Sequence, residues 1–136
     1  MKDNATIIDV RSSEELQEGM IPGAAVIDFD GPFASWLGTL HPPKRRYIVY
    51  GKSEEKVTET IKRMLRIGYI NIEGYCAEPI DEMKKNFDVY KPDFVSSVVQ
   101  DGKTILDVRK PGEWKNGIVS GATTFELSNL FKNVSI

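Results

Sequence analysis

The chain has 136 residues, of which 40% are hydrophobic and 28% charged, a balance typical of a globular protein rather than a disordered segment. The formal net charge of −2 gives no reason to expect a nucleic acid or an anionic membrane as partner. No apolar run reaches the roughly 18 residues of a membrane span, and Met1–Asn4 leads directly into a strand pattern rather than a signal peptide. The single Cys76 excludes an internal disulfide and suits a reducing compartment, so we expect a cytoplasmic location.

The predicted strands and helices alternate along most of the chain, beginning with a β-branched apolar run. In order they are a strand over 6–10, a short helix over 14–18, a strand over 25–29, a helix over 33–40, a strand over 47–50, a helix over 57–67, a strand over 69–72 and helices over 79–86 and 93–100. The helix over 57–67 is expected to bury four apolar residues, Val57, Ile61, Met64 and Leu65. This alternation predicts an α/β fold with a mostly parallel sheet flanked by helices on both faces.

A segment of the chain is repeated. Residues 6–29 align without a gap with residues 104–127, an offset of 98, and 9 of the 24 positions are identical. A period near 100 residues is that of a domain. We therefore predict one domain over 1–89 and the N-terminal part of a second over 90–136, in a chain cut from a longer protein; the alternative is that the second copy decorates a complete first unit.

Both copies resemble the opening signature of the rhodanese-like family, whose active members are sulfurtransferases. The signature is Asp9-Val10-Arg11, Glu14-Glu15-Leu16 and Gly19-Met20-Ile21-Pro22-Gly23-Ala24, and then Asp107-Val108-Arg109, Glu113-Trp114 and Gly117-Ile118-Val119-Ser120-Gly121-Ala122. An Asp-x-Arg at a strand end can form a charge-assisted pair, and glycine permits a tight turn. Five positions are therefore interpreted as structural rather than catalytic: Asp9, Arg11, Gly23, Asp107 and Arg109.

The resemblance implies a catalytic cysteine directly after the third strand, in a six-residue loop whose backbone N–H groups hold the anionic sulfur at the start of a helix. The matching position here is Gly51, and the loop reads Gly51-Lys52-Ser53-Glu54-Glu55-Lys56 where active members resemble Cys-x-x-Gly-x-Arg. Gly51 offers no nucleophile, Glu54 adds negative charge, and Lys56 lacks the bidentate fork of arginine. The sequence therefore predicts a catalytically silent unit without catalytic residues, metal or cofactor.

Two alternatives remain open. Cys76, which follows the fourth strand, could carry sulfur, or the fold could support a phosphatase-like activity; no basic residue adjoins Cys76 in sequence, and a packing role is favoured. The loop Gly51–Lys56 could instead bind an anion such as sulfate on its amides. His41 is expected in a surface loop, and Lys44-Arg45-Arg46 is expected to be solvated, with an acidic partner as the weaker alternative.

Tandem units of this kind resemble the C-terminal halves of metallo-β-lactamase-fold proteins related to persulfide dioxygenases and sulfurtransferases. The resemblance implies that the silent unit positions other domains of the same polypeptide, and that an active cysteine belongs to the second unit of a parent enzyme. The apolar residues of the second copy begin a core without its other half. We expect them to pack on the first unit or in a domain-swapped or packed homodimer; they are Ile105, Leu106, Val108, Trp114, Ile118, Phe125, Leu127, Leu130 and Phe131.

Overall fold

The computed structural model describes residues 5–80 and 101–129, and the chain divides into two compact units, Met1–Val89 and Tyr90–Ile136. Within residues 5–80, the first unit contains four strands, two α-helices and one 3-10 helix. In chain order they are β1 (Thr6–Asp9), the 3-10 helix Glu15–Glu18, β2 (Ala25–Val26), α1 (Phe33–Leu40), β3 (Tyr47–Tyr50), α2 (Glu54–Arg66) and β4 (Ile72–Cys76).

The four strands form one sheet in the order β2-β1-β3-β4, and every pair in it is parallel. The predicted α/β fold with a parallel sheet and helices is confirmed. The register sets Asp9 opposite Tyr50 and Tyr50 opposite Cys76. Because the strands are parallel, their carboxyl ends meet at one edge of the sheet, and the residues that follow β1, β3 and β4 are neighbours there.

The core of the first unit lies around β3, whose Tyr47, Val49 and Tyr50 are buried. The Tyr47 and Tyr69 rings pack with centroids 5.6 Å apart. The Tyr69 hydroxyl donates to the carbonyl oxygens of Leu37 at 3.2 Å and His41 at 2.7 Å, which attaches the end of α1 to the core. Burial raises the pKa of Tyr47 to about 12.

The segment that follows α2 differs from the prediction. The strand expected over 69–72 is instead β4, over Ile72–Cys76. Gly68 adopts φ 87° and the Tyr69 N–H donates to the Met64 carbonyl at 3.0 Å, so these residues close the helix. Tyr69 is then used as a buried side chain outside the sheet. Leu65, expected in the core, is 48% exposed.

Other differences are smaller. Helix α2 begins at Glu54 rather than at residue 57, because Ser53 caps it. Strand β2 is confined to Ala25–Val26. Of the helix predicted over 79–86, residues 79 and 80 are not helical and the rest lies outside the described residues, as do the linker over 90–92 and the helix over 93–100.

The second unit contains β5 (Leu106–Asp107), α3 (Pro111–Trp114) and β6 (Thr123–Thr124). Strands β5 and β6 pair in parallel, with Leu106 opposite Thr123 and Asp107 opposite Thr124. Both pairs lie 98 residues beyond the β1–β2 pairs of Ile8 with Ala25 and Asp9 with Val26. No helix in either described range is long and apolar enough to span a bilayer.

Candidate functional site

A buried ion pair stands at the carboxyl end of β1. Arg11 donates from Nη2 to Asp9 Oδ2 at 2.7 Å and from Nε to Oδ1 at 2.9 Å, and both side chains are inaccessible to solvent. The Arg11 backbone N–H also donates to Asp9 Oδ1, at 3.2 Å. The pair is thus formed within three consecutive residues, which fits the Asp-x-Arg spacing.

The Arg11 guanidinium also fixes the next turn. It donates to the Gly19 carbonyl at 2.8 Å and to the Glu15 carbonyl at 3.4 Å, and it lies 5.1 Å from the centroid of the Tyr50 ring. Burial opposes its charge, but the hydrogen bonds and charge of Asp9 outweigh this and raise the pKa of Arg11. These contacts are those of a fold-holding residue; the structural assignment of Asp9 and Arg11 stays a prediction.

Gly51, where active members resemble cysteine, lies directly after β3 and is buried. Its N–H donates to the Cys76 carbonyl at 3.2 Å. A Cβ placed on Gly51 would meet Val57 Cγ2 at 3.0 Å and Val10 Cγ2 at 3.1 Å, and both valines belong to the buried core. A side chain at position 51 would therefore press on packed methyl groups of the core, which would have to move by a few tenths of an ångström.

The loop between Gly51 and α2 ends in a helix cap made by this chain's own side chain. Ser53 Oγ accepts from the Lys56 N–H at 3.1 Å, which occupies one of the free amides of the helix N-terminus. Glu54 and Glu55 follow in the first turn, and both are exposed. Their charges suit the positive end of the helix dipole, so the chain itself supplies the negative charge that a bound anion would bring.

Both lysines of the loop pair with carboxylates from other segments. Lys52 Nζ contacts Glu18 Oε2, and this hydrogen bond lowers the pKa of Glu18. Lys56 Nζ lies 3.2 Å from Asp30 Oδ2, and this hydrogen bond raises the pKa of Lys56. The positive charges of the loop are thus directed at the first unit's own acidic residues.

Cys76 ends β4 on the far side of Gly51 from β1. Its thiol donates to the Glu78 carbonyl at 3.6 Å. Cys76 also lines an open pocket of about 550 Å³ together with Tyr75, Ala77 and two acidic residues, Glu54 and Glu78. No basic side chain lines this pocket, and its carboxylates are unfavourable neighbours for an anionic sulfur.

The family model for the rhodanese-like domain matches residues 1–76. The chain belongs to the rhodanese-like family. A search of curated protein sequences found no match.

Solved structures share the rhodanese-like fold at low identity. The anaerobic ergothioneine biosynthesis enzyme from Chlorobium limicola, in complex with trimethyl histidine, aligns with a TM-score of 0.52 at 18% identity, over 93% of this chain and 38% of that chain. The rhodanese-like domain of the Alr3790 protein from Anabaena aligns with a TM-score of 0.50 at 16% identity, over 75% and 86%. Another Alr3790 structure, with a TM-score of 0.49 and 21% identity, aligns over 52% of this chain and 56% of that chain. This chain thus spans little more than half of that Alr3790 chain and about two fifths of the Chlorobium enzyme.

The second copy of the signature repeats the ion pair of the rhodanese-like unit. Arg109 Nη2 donates to Asp107 Oδ2 at 2.7 Å and to the Gly117 carbonyl at 2.8 Å, the distances found for the first copy. Gly23 and Gly121 match in conformation, at φ 77° and 81°. The hydrogen bond of Arg109 lowers the pKa of Asp107 to about 2. The structural assignment of these positions remains a prediction.

The remaining candidates lie away from the loop. His41 is half-buried rather than in an open surface loop, and burial lowers its pKa, with a smaller effect from Arg45. Lys44, Arg45 and Arg46 are exposed, as expected, and Arg46 bonds Glu73 at 2.9 Å. Among residues 5–80 and 101–129, no group of three or more His, Cys, Asp or Glu side chains is placed to hold a metal ion.

Sequence reasoning missed the residues that restrain the loop. Glu18 and Asp30 come from segments 34 and 26 residues away from their lysines, and no local pattern marks them. The packing of Val10 against the Gly51 position was missed for the same reason. One signal was available, because residues at the carboxyl ends of neighbouring parallel strands are expected to meet.

Proposed function

We propose that the first unit is a catalytically silent rhodanese-like module of a multidomain protein of sulfur metabolism, with a scaffolding role toward the other domains of its polypeptide. The proposal rests on the glycine at position 51 and on the residues packed around it. A glycine there supplies no sulfur, and Val57 and Val10 lie 3.0 and 3.1 Å from where a Cβ would stand. Position 51 thus offers no nucleophile, and any side chain placed there would be in tight contact with the core.

The loop charges support the same proposal. A persulfide carries negative charge and needs free amides or cations around it. Here Ser53 caps the helix, while Lys52 and Lys56 are paired with Glu18 and Asp30. The alternative of an anion-binding loop would require these internal contacts to open, which makes it the weaker proposal.

The wider context is proposed from the second copy. Its strand register and its ion pair follow those of the first unit at an offset of 98 residues, which supports a second rhodanese-like unit beginning within 90–136. An enzyme from Chlorobium limicola shows that a region of this fold occurs within a much longer chain. We propose a parent enzyme with a metallo-β-lactamase-fold domain. The parent reading frame tests this: a His-rich metal motif before residue 1 and a cysteine loop after residue 136 are expected, and a frame with neither contradicts it.

Sulfur transfer from thiosulfate to cyanide tests the silence directly. In an active unit a thiolate takes the outer sulfur of thiosulfate, releasing sulfite, and the persulfide then yields its sulfur to cyanide as thiocyanate. We expect the chain to form no thiocyanate above the rate without protein. Turnover that disappears in Cys76→Ala would instead assign the activity to Cys76. This residue lies beside the loop, because its carbonyl accepts a hydrogen bond from the Gly51 N–H.

Restoring the cysteine tests the closure of the site. Gly51→Cys is expected to destabilise the first unit by about 1–3 kcal/mol, because its Cβ presses on Val57 and Val10. We expect it to regain no sulfur transfer, since the loop lysines stay paired. Gly51→Ala is the matched control, with the same backbone contacts and no thiol; urea unfolding of both gives the cost. A Gly51→Cys chain that is as stable as the parent and forms thiocyanate would contradict the proposal.

A further inference from the structure

The turn that follows α3 contains the only asparagine–glycine pair in the sequence, Asn116-Gly117. Both residues are exposed. Gly117 adopts φ 118°, and a Cβ placed on it would meet no atom within 4 Å. Asparagine is a thermolabile residue, and a following glycine has no side chain that would keep its backbone nitrogen away from the asparagine side chain. The pair therefore stands where the side-chain amide of Asn116 can react with the next backbone nitrogen.

The backbone of Gly117 also serves the ion pair of the second unit. Its carbonyl accepts from Arg109 Nη2 at 2.8 Å, and its N–H donates to the Trp114 carbonyl at 3.0 Å. The Asn116 N–H donates to the Glu113 carbonyl at 3.1 Å. A change in the main chain between residues 116 and 117 would therefore move an acceptor of Arg109.

The first copy has the same turn without the same chemistry. The Gly19 N–H donates to the Leu16 carbonyl at 3.0 Å, and the Gly19 carbonyl accepts from Arg11 at 2.8 Å. The residue before this glycine is Glu18, whose carboxylate has no ammonia to lose and contacts Lys52. Gly19 is also buried, whereas Gly117 is exposed. The two copies thus share the hydrogen bonds of the turn and differ in its reactivity.

We propose that Asn116-Gly117 is a site of spontaneous deamidation, which adds a carboxylate to this turn and releases Arg109 from it. The Gly117 nitrogen loses its proton to solvent and bonds to Asn116 Cγ, and the bond from Cγ to the amide nitrogen breaks as ammonia leaves. Water then opens the resulting five-membered imide at either carbonyl. One product is aspartate, and the other is isoaspartate, whose main chain runs through the former side chain. Water enters and ammonia leaves, so no oxidant or reductant takes part.

The hydrogen bonds of the turn control the rate of this reaction. The Gly117 N–H must leave the Trp114 carbonyl before its nitrogen can attack, so the reaction requires local opening. Arg109 opposes that opening, because it holds the Gly117 carbonyl. Isoaspartate adds a methylene to the main chain and displaces this carbonyl, which ends the contact. The reaction is therefore a one-way change, and it is confined to the second unit.

No sulfur chemistry enters this proposal. Deamidation at residue 116 and thiocyanate formation by the first unit are measured separately, and either can fail without affecting the other.

Incubation of the full chain at mildly alkaline pH, followed by mass spectrometry of its peptides, tests the site. We expect a gain of one mass unit at residue 116, with isoaspartate and aspartate both among the products. Asn71 precedes the β-branched Ile72, is the internal control and is expected to stay unmodified. The NMR signals of the Gly117 amide and the Arg109 Nε–H are expected to shift as the product forms. Asn116→Gln is expected to be stable, because its longer side chain would have to close a six-membered imide.

Arg109→Ala tests the control of the rate by the turn. It is expected to speed deamidation about two- to tenfold, because the Gly117 carbonyl loses its donor. Arg109→Lys keeps a single donor and is expected to give an intermediate rate. Ser120→Ala, an exposed change in the following turn, is the matched control and leaves the rate unchanged. A peptide of residues 111–121 gives the rate of the open turn, and the full chain is expected to react more slowly than this peptide.

Two sets of results would overturn the proposal. An unmodified residue 116, or equal modification at Asn71, would show that the pair is not a distinct site. Equal rates for the full chain, the peptide and Arg109→Ala would show that the hydrogen bonds of the turn do not control the reaction.

Discussion

The two copies of the repeated segment share the hydrogen bonds of their ion pair and turn and differ in burial. In each, the carbonyl of the aspartate that ends the first strand accepts at 2.9 Å from the N–H of the residue after the second strand: Ile27 donates to Asp9, and Phe125 to Asp107. The turn bonds also match, with Ala24 donating to Ile21 at 3.1 Å and Ala122 to Val119 at 3.0 Å. The strand and ion pair of the first copy are nevertheless buried in the core, whereas the second copy is largely exposed.

This difference separates two levels of structure. The local frame is specified by residues within the segment, because the identical positions include those of the ion pair and the turn glycines. Burial depends on residues outside the segment, since β3 and α2 cover the first copy. We therefore expect the same ion pair and turn to contribute differently to the stability of the two units.

The largest expected difference concerns the arginines. Arg11→Ala leaves the Asp9 carboxylate buried and unpaired, and it is expected to destabilise the first unit by about 3–5 kcal/mol. Arg109→Ala removes a half-exposed guanidinium and is expected to destabilise the second unit much less, because solvent screens the exposed charge. The two tryptophans allow separate readouts, because Trp36 reports on the first unit and Trp114 on the second. Urea unfolding followed in a Trp114→Phe background measures the cost of Arg11→Ala in the first unit, and in a Trp36→Phe background the cost of Arg109→Ala in the second.

The matched variant is Arg11→Lys, which keeps the charge but loses the fork that serves Asp9, Gly19 and Glu15. The stability of Arg11→Lys to urea is expected to lie between those of the parent chain and Arg11→Ala. Equal losses for Arg11→Ala and Arg109→Ala would break the comparison, because burial would then not decide the value of the pair.

The turn glycines are expected to behave alike in the two copies. Gly23 and Gly121 hold φ 77° and 81°, and a Cβ on either would meet no atom within 4 Å. Gly→Ala at each is thus expected to cost about 1–2 kcal/mol of backbone strain alone. Hydrogen exchange of the Ala24 and Ala122 amides measures both. Gly38→Ala in α1 is the control and is expected to stabilise by about 0.5–1 kcal/mol; unequal costs at Gly23 and Gly121 would show that the frames differ.

The smallest effect is a titration. Arg109 lowers the pKa of Asp107 from 3.8 to about 2 through its hydrogen bond. Because the carboxyl pKa is lower in the folded chain, the ion pair contributes to the free energy of unfolding. This contribution is complete above the pKa of the unfolded chain, near 3.8, and is lost as the pH falls toward about 2. NMR titration of the Asp107 carboxyl should therefore show a midpoint well below 3.8, which Arg109→Ala returns toward its ordinary value. An ordinary midpoint in the parent chain would mean that the exposed pair does not persist in solution.

The fold could be predicted where local signals agreed. Strand β3 and helix α1 have their predicted bounds. A short run of β-branched and aromatic residues indicates the strand, and the prolines after His41 mark the end of the helix. The strand after Gly68 was misplaced because Tyr69 and Ile70 are as apolar as strand residues. Only the tertiary contacts of the Tyr69 hydroxyl with α1 decide that it packs outside the sheet.

The location of the candidate site could be predicted from the sequence, but the residues that surround it could not. The resemblance identified Gly51 and its loop as the place where chemistry would occur in an active relative. The packing of Val57 and Val10 around Gly51, and the pairing of Lys52 with Glu18, depend on segments distant in sequence. Such contacts are set by the assembled sheet and leave no periodic pattern in the chain.

We propose above that the first unit carries no sulfur. Intact-protein mass spectrometry after incubation with thiosulfate tests it most directly, because a persulfide adds one sulfur atom and is detected without turnover. We expect an unmodified mass for the parent chain and for Cys76→Ala. A one-sulfur adduct on the parent chain that is absent from Cys76→Ala would contradict it, and would place the sulfur on the strand next to Gly51.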